Sequence, residues 1–169
     1  MGEYDFGIDG YQPKWLNTVP ELTAAHGERL ASLTGRTLTN SWLVWEPTWE
    51  RWFSDCPVVL DFEGDHVEFN HQKYTDLSIT WNVIDLEQPV RWSSKAEVPS
   101  VWRDDVSEGL SALRGQTLKT VLLLERDAGG DLAVGFVFSE GQLTIHNGCD
   151  ANALDFDVLD SHFRRHRLG

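Results

Sequence analysis

The feature that most constrains this chain is an internal similarity between its two halves. Residues 28–38 read ERLASLTGRTL and residues 108–118 read EGLSALRGQTL. Further along, apolar residues of the first half match apolar residues of the second, namely Leu60, Phe62, Val67 and Phe69 with Phe136, Phe138, Leu143 and Ile145. A third match joins 81–85 to 156–160. Three matching blocks in the same order predict a duplicated unit, at residues 28–85 and 108–160, with a linker at 86–107.

Each unit is predicted to begin with a short helix. Leu30 and Leu33 are spaced to share one helix face, and Gly35 stands where a left-handed residue commonly ends a helix. Gly115 has the same position in the second unit. Pro20 suits the first turn of an additional N-terminal helix that precedes the first unit.

Four strands are predicted to follow the helix in each unit. They span 37–46, 57–63, 66–71 and 78–85 in the first unit, and 117–126, 132–139, 142–146 and 154–159 in the second. The two middle strands meet at a short turn, placed at 64–65 or 140–141. The sequence therefore predicts an α+β fold in a single domain spanning 1–169. Two tandem α-β-β-β-β pseudo-repeats would form a mostly antiparallel sheet, sandwich or barrel of about eight strands with short helices.

Composition narrows the classes of function. The chain has 27 acidic and 14 basic residues, and its formal net charge is −13. Nucleic acids and anionic membranes attract positive surfaces, so we expect neither as a partner. No apolar run is long enough for a membrane-spanning helix, and the N-terminus lacks the pattern of a signal peptide. Two cysteines are too few for a disulfide framework, so we expect a cytoplasmic location.

The two units differ most at the tip of their first hairpin. In the second unit the tip is the short segment 127–131, whereas residues 46–56 of the first unit read EPTWERWFSDC. Pro47 cannot continue a central strand, so we expect a loop or one helical turn with its aromatic residues on one side. Exposed aromatics mark binding surfaces, whereas aromatics folded over a sheet end cap the core, and both interpretations stay open. The candidate binding residues are Trp45, Trp49, Glu50, Trp52 and Phe53.

An acidic cluster on the central hairpin of the first unit is the second difference. A turn at 64–65 would place Glu63 opposite His66 and Asp61 opposite Glu68, all on the face away from the core. Three carboxylates and an imidazole could ligate a divalent cation or supply an acid–base pair. An ordinary solvated sheet face is the alternative. Asp61, Glu63, His66 and Glu68 are therefore the candidate metal ligands, and we expect no other cofactor.

The C-terminal segment 161–169 is the third difference, because it contains three arginines and no acidic residue. Against so acidic a chain, we expect this segment to pair with the protein's own surface. A contact between two copies of the chain is the alternative.

These features favour a protein-binding module of unknown specificity over an enzyme. Strong acidity and an aromatic tip suit a cationic protein partner, as in bacterial immunity proteins and nuclease inhibitors, and this analogy rests on charge and size alone. The alternative is a small-ligand-binding or metal-dependent enzyme that uses a cleft between the two units. The sequence contains no phosphate-binding loop, nucleophile elbow or zinc-protease motif.

Overall fold

The computed structural model describes residues 6–91, 98–127, 130–158 and 162–168. It contains the helices α1 (Val19–Ala31) and α2 (Glu108–Leu113). The strands before α2 are β1 (Leu38–Glu46), β2 (Arg51–Trp52), β3 (Val58–Phe62), β4 (Asp65–Gln72), β5 (Asp76–Trp81) and β6 (Val101–Arg103). The strands after α2 are β7 (Leu118–Arg126), β8 (Leu132–Phe138), β9 (Gly141–Asn147), β10 (Asn152–Asp155) and β11 (Phe163–Arg167). Predictions for 92–97 of the linker, 128–129 of the second tip, and 159–161 and 169 lie outside the described residues.

The described strands form two antiparallel sheets that are not closed into a barrel, so the fold is mostly β. The first sheet has the order β2-β1-β3-β4-β5, with β6 also paired to β1, and the second has the order β10-β9-β8-β7-β11. Aromatic rings pack where the sheets face each other. The ring centroid of Phe136 lies 6.1 Å from that of Phe62 and 5.5 Å from that of Phe69. The arrangement is a β-rich sandwich, in which β2, β6 and β11 add to the eight predicted strands.

The two sheets have matching strand orders and registers. β1, β3, β4 and β5 follow α1 in the first sheet as β7, β8, β9 and β10 follow α2 in the second. Leu38 lies opposite Phe62, and Leu118 lies opposite Phe138. In both sheets the register shifts immediately after this pair.

Where the halves meet near the helices, their hydrogen bonds are reciprocal. The backbone N–H of Gly35 donates to the Leu118 carbonyl at 2.8 Å, and that of Gly115 donates to the Leu38 carbonyl at 2.8 Å. Both glycines have a φ of +88°, a conformation that costs glycine little. Hydrogen bonds made by the two matching turns therefore link the first sheet to the second.

The main core lies between the sheets and includes residues of both halves. Leu22 and Leu30 of α1 and Leu110 and Leu113 of α2 are buried in it. A second buried cluster covers the outer face of the first sheet, and it comprises Phe6, Ile8, Tyr11, Val44, Cys56, Val59, Ile84 and Val90. Of the helices in the described ranges, none is long and apolar enough to cross a membrane.

Helix α1 is longer than predicted. The sequence pattern places Pro20 and Leu30 in separate helices, whereas in the structure they belong to one helix. Thr18 caps its N-terminus, because its Oγ1 accepts a hydrogen bond from the Glu21 N–H at 3.2 Å, and Pro20 occupies the first turn. The additional helix of the prediction is therefore the first part of α1.

The central hairpin of the first unit turns one residue earlier than predicted. Phe62 lies opposite Asp65, so the turn residues are Glu63 and Gly64, with φ values of +56° and +96°. A side-chain contact holds this turn, since the Gly64 N–H donates to Asp61 Oδ1 at 2.7 Å. The register moves by two positions, so the side chains that remain in the strands stay on their predicted faces, whereas Glu63 leaves the strand for the turn.

Candidate functional site

One end of the sandwich gathers three segments that are distant in sequence. We call it the acidic end and define it as residues 46–56, 72–76 and 147–151. Asn152, which follows the third segment, donates its backbone N–H to the Ser54 carbonyl at 2.9 Å. Asn147 donates its side-chain Nδ2 to the Lys73 carbonyl. The three segments are thus joined by hydrogen bonds between the two sheets.

Carboxylates outnumber cations at the acidic end. Its residues include Glu46, Glu50, Asp55, Asp76 and Asp150, against Arg51 and Lys73. Burial and the nearby carboxylates of Glu46 and Asp150 raise the pKa of Asp55, with Arg51 opposing them. The raised pKa means that the surroundings disfavour the negative charge of Asp55. A cation of a bound partner would stabilise that negative charge.

Trp49 is the most exposed tryptophan of this end, with 48% of its surface accessible. Its ring lies 5.4 Å from the guanidinium carbon of Arg51, whose Nε donates to the buried Glu46 carboxylate at 2.9 Å. Glu46 and Arg51 are a cross-strand pair of β1 and β2. The hairpin therefore holds an aromatic ring in solvent beside the exposed carboxylate of Glu50.

The backbone of the acidic end is strained. Of the six described non-glycine residues with left-handed φ values, four lie here: Glu50, Lys73, Cys149 and Asp150. For a residue with a Cβ, the left-handed conformation costs roughly 1–2 kcal/mol relative to the right-handed one. Such backbone conformations concentrate at functional sites, where the surrounding structure maintains them.

The predicted aromatic residues of the tip do not share one side. The tip is a hairpin rather than a helical turn, because Trp52 pairs with Trp45 across β1 and β2. Successive strand residues point to opposite faces. Trp52 accordingly packs against the main core, and Phe53 packs against the outer cluster of the first sheet. Trp45 is half-buried, 5.3 Å from the guanidinium carbon of Arg103, so Trp49 and Glu50 are the exposed members of the candidate set.

Glu68, a candidate metal ligand, is completely buried. Its carboxylate accepts hydrogen bonds from Thr80 Oγ1 at 2.8 Å and from the N–H groups of Val83 and Ile84 at 3.2 and 3.1 Å. Burial raises the pKa of Glu68, and these hydrogen bonds partly oppose that effect. The N–H groups of Val83 and Ile84 bond to Glu68 instead of to a neighbouring strand. β5 therefore ends at Trp81, four residues before the predicted end at residue 85.

The other candidate ligands are more exposed. Asp61 faces His66, with 3.4 Å between Asp61 Oδ2 and His66 Nε2, and Glu68 faces Val59 rather than Asp61. Glu63 lies in the turn, where its carboxylate accepts the Thr37 N–H at 3.3 Å. Within the part of the chain that the structure describes, no three His, Cys, Asp or Glu side chains are grouped to hold a metal ion.

From the sequence, Tyr74 is a possible addition to the carboxylate cluster of the central hairpin, and neither its exposure at the acidic end nor the burial of the neighbouring Asn152 is predicted. Tyr74, which follows β4 along the chain, is 80% exposed in the turn between β4 and β5. Asn152 is buried and contacts residues of the first half. A tyrosine in a polar turn is a weak signal of exposure, and no local pattern identifies contact partners eighty positions away.

Two grooves on the described part of the chain have room for a small molecule. One of about 790 Å³ is lined by α1 together with Arg167 and Leu168. Another of about 370 Å³ lies on the outer face of the second sheet. Between the sheets, the rings of Phe62 and Phe138 are stacked with centroids 6.4 Å apart.

Comparisons with known proteins identify no relative. No protein-family model, no curated protein and no solved structure matches this chain. Functional inference therefore depends on the geometry and charge of the chain itself.

Proposed function

We propose that this chain is a protein-binding module and that the acidic end binds a cationic protein. The observation that carries the proposal is the exposed Trp49 beside Glu50, on a surface where four carboxylates, Glu50, Asp55, Asp76 and Asp150, outnumber two cations, Arg51 and Lys73. Aromatic side chains commonly dominate the affinity of protein interfaces. Surrounding carboxylates accelerate encounter with a basic partner and select against acidic ones.

The arrangement of the acidic end suits rigid binding. Trp49 and Tyr74 present two exposed aromatic rings from turns whose strands are paired within one sheet. Asn152 connects the neighbouring loop to the second sheet through Ser54. A preorganised surface loses less conformational entropy on binding than a flexible one. The mode of action that we propose, by analogy of charge and size with immunity proteins, is inhibition of a cationic enzyme or toxin.

Affinity capture from a lysate of the source organism tests the proposal. The bait is the full chain at low and moderate salt, with bound proteins identified by mass spectrometry. We expect one basic protein in stoichiometric amount, released as salt rises, because salt screens exposed charges beyond about 8–10 Å. The captured protein is then purified and its affinity for variants is measured.

Two charge-matched variants locate the surface. Glu50→Gln with Asp150→Asn removes two charges from the acidic end, and Glu28→Gln with Glu140→Gln removes two exposed charges elsewhere. The first pair is expected to weaken binding at least about tenfold and the second by less than about twofold. Equal effects of the two pairs, or unchanged binding by Trp49→Ala with Tyr74→Ala, would exclude the acidic end as the binding surface.

We further propose that the α+β organisation arose by duplication of one α-β-β-β-β unit. The matching strand orders and the reciprocal hydrogen bonds of Gly35 and Gly115 support this origin. We also propose a reducing, cytoplasmic location, which is supported by the free thiols of Cys56 and the exposed Cys149. An enzyme with a ligand or divalent cation between the units stays a prediction from the sequence.

A further inference from the structure

The basic C-terminal strand β11 divides its charges between two faces of the second sheet. Arg164 lies opposite Glu125 of β7, and Arg165 lies opposite Leu124. Paired residues of neighbouring strands share a face, and successive residues alternate. Arg164 therefore points to the face of Glu125, and its Nη2 lies 2.8 Å from Glu125 Oε1. The expected pairing with the protein's own acidic surface thus applies to Arg164.

Arg165 and Arg167 point to the opposite, outer face, because their cross-strand partners are Leu124 and Leu122. Among the residues that the structure describes, neither arginine has a carboxylate oxygen within 4.0 Å. Two guanidinium groups are therefore available for an anion from outside the chain.

Both arginines line a groove of about 370 Å³ on this outer face. Leu122 and Val137 contribute apolar surface to the groove, and Val158 adds a side chain that is 83% exposed. Thr120 and Gln142 also line it. The volume falls within the range of roughly 300–1,000 Å³ that is usual for small-molecule sites.

We propose that this groove binds a small organic anion with an apolar body. The negative end contacts Arg165 and Arg167, whose planar guanidinium groups each offer paired N–H donors. The apolar part lies on the half-buried Val137 and the exposed Val158 and covers them from water. A bare inorganic anion would leave the apolar surface uncovered, and a neutral amphiphile would leave the arginines without a counter-charge. This site is separate from the acidic end and does not depend on its function.

Titration of the full chain with octanoate, followed by two-dimensional ¹H–¹⁵N NMR, tests the proposal. Octanamide, with the same carbon chain and no charge, and sulfate, with charge and no apolar part, are the control probes. We expect saturable octanoate binding that shifts the amide signals of Leu122, Val137 and Gln142. Octanamide and sulfate should bind at least about tenfold more weakly, since each lacks one of the two contributions.

Variants of the same strand give a matched comparison. Arg165→Gln and Arg167→Gln should each weaken octanoate binding at least about fivefold, whereas Arg164→Gln should change it by less than about twofold. All three side chains are exposed, and equal urea midpoints would verify that the variants fold alike. The proposal is overturned if octanoate does not bind below about 10 mM, if octanamide or sulfate binds equally well, or if Arg164→Gln has the same effect as its neighbours.

Discussion

The side-chain amide of Asn152 in β10 donates to Oδ1 of Asn70 in β4 at 2.8 Å, which joins the two sheets beside the acidic end. The same Nδ2 lies 2.8 Å from the Cys56 carbonyl, and Asn152 Oδ1 accepts the His71 N–H at 2.8 Å. Asn152, Asn70 and His71 are all buried, so water cannot replace these partners. A single side chain thus satisfies polar groups of two segments of the first half, one at Cys56 and the other at Asn70 and His71.

Replacement of Asn152 by alanine should therefore destabilise the protein strongly. It leaves the N–H of His71 and the side-chain oxygen of Asn70 without their partner, and each buried unsatisfied group costs about 1–3 kcal/mol. We expect Asn152→Ala to lower the free energy of unfolding by about 3 kcal/mol in urea titrations. Asn17→Ala, at an exposed position before α1, should change it by less than about 0.5 kcal/mol. A loss below about 1 kcal/mol at Asn152 would contradict the role of this network.

His71 should make stability depend on pH. It is completely buried, its Nε2 lies 3.4 Å from the Ile145 carbonyl, and burial lowers its pKa to about 3. In the unfolded chain the pKa is about 6.5, so between these values the unfolded state binds a proton that the folded state does not. The free energy of unfolding therefore falls as pH falls through this window, by about 2 kcal/mol from pH 7.5 to pH 5 for this residue.

Comparison with His71→Gln isolates this contribution, since the other titrating groups are common to both proteins. Urea titrations at about pH 7.5 and pH 5 should show that the wild type loses about 2 kcal/mol more than the variant. Equal losses would indicate that His71 titrates normally in the folded state. An NMR titration of its imidazole provides an independent measurement, and a pKa above about 5 would also contradict the expected shift.

The sequence predicts side-chain faces better than it predicts contacts between the halves. Leu60 and Val67 lie on the predicted face although the turn moved, because a register shift of two positions preserves the alternation of a strand. The turn itself depends on the contact of Asp61 with the Gly64 N–H, which apolar periodicity does not encode. The position of Trp52 depends on its pairing with Trp45, and the hydrogen bonds of Asn152 depend on how the two sheets pack. Such long-range contacts have no local sequence signal.

Two helical glycines should respond in opposite ways to alanine. A Cβ at Gly109 in α2 would lie 2.4 Å from the Phe156 ring, whereas a Cβ at Gly27 in α1 would lie 3.2 Å from the Thr23 methyl group. Alanine favours a helix over glycine by about 1 kcal/mol. The clash with the ring should outweigh this at Gly109, for a net loss of about 1–2 kcal/mol. At Gly27, rotation of the exposed Thr23 side chain relieves the contact, so stability should stay equal or rise.

Thermal unfolding of both variants measures the difference. The double variant Gly109→Ala with Phe156→Leu should be less than additive, because the smaller side chain removes the clash. Additive losses would show that Gly109 is needed for a reason other than the proximity of Phe156.

Trp49 and Trp52 should differ in what their removal does to stability, and this difference decides how binding experiments are interpreted. Trp52 packs against the main core, so Trp52→Ala should lower the free energy of unfolding by about 3 kcal/mol. Trp49 is 48% exposed and contacts Arg51, so Trp49→Ala should cost less than about 1 kcal/mol.

Urea titrations of the two single variants check this expectation directly. If it is met, a loss of partner binding by Trp49→Ala reports on the surface, whereas the same loss by Trp52→Ala also reflects a weakened fold. If instead Trp49→Ala is as destabilising as Trp52→Ala, the exposed ring has a structural role in the hairpin. The charge-matched variants at Glu50 and Asp150 would then be the valid probes of the acidic end, because both side chains are exposed.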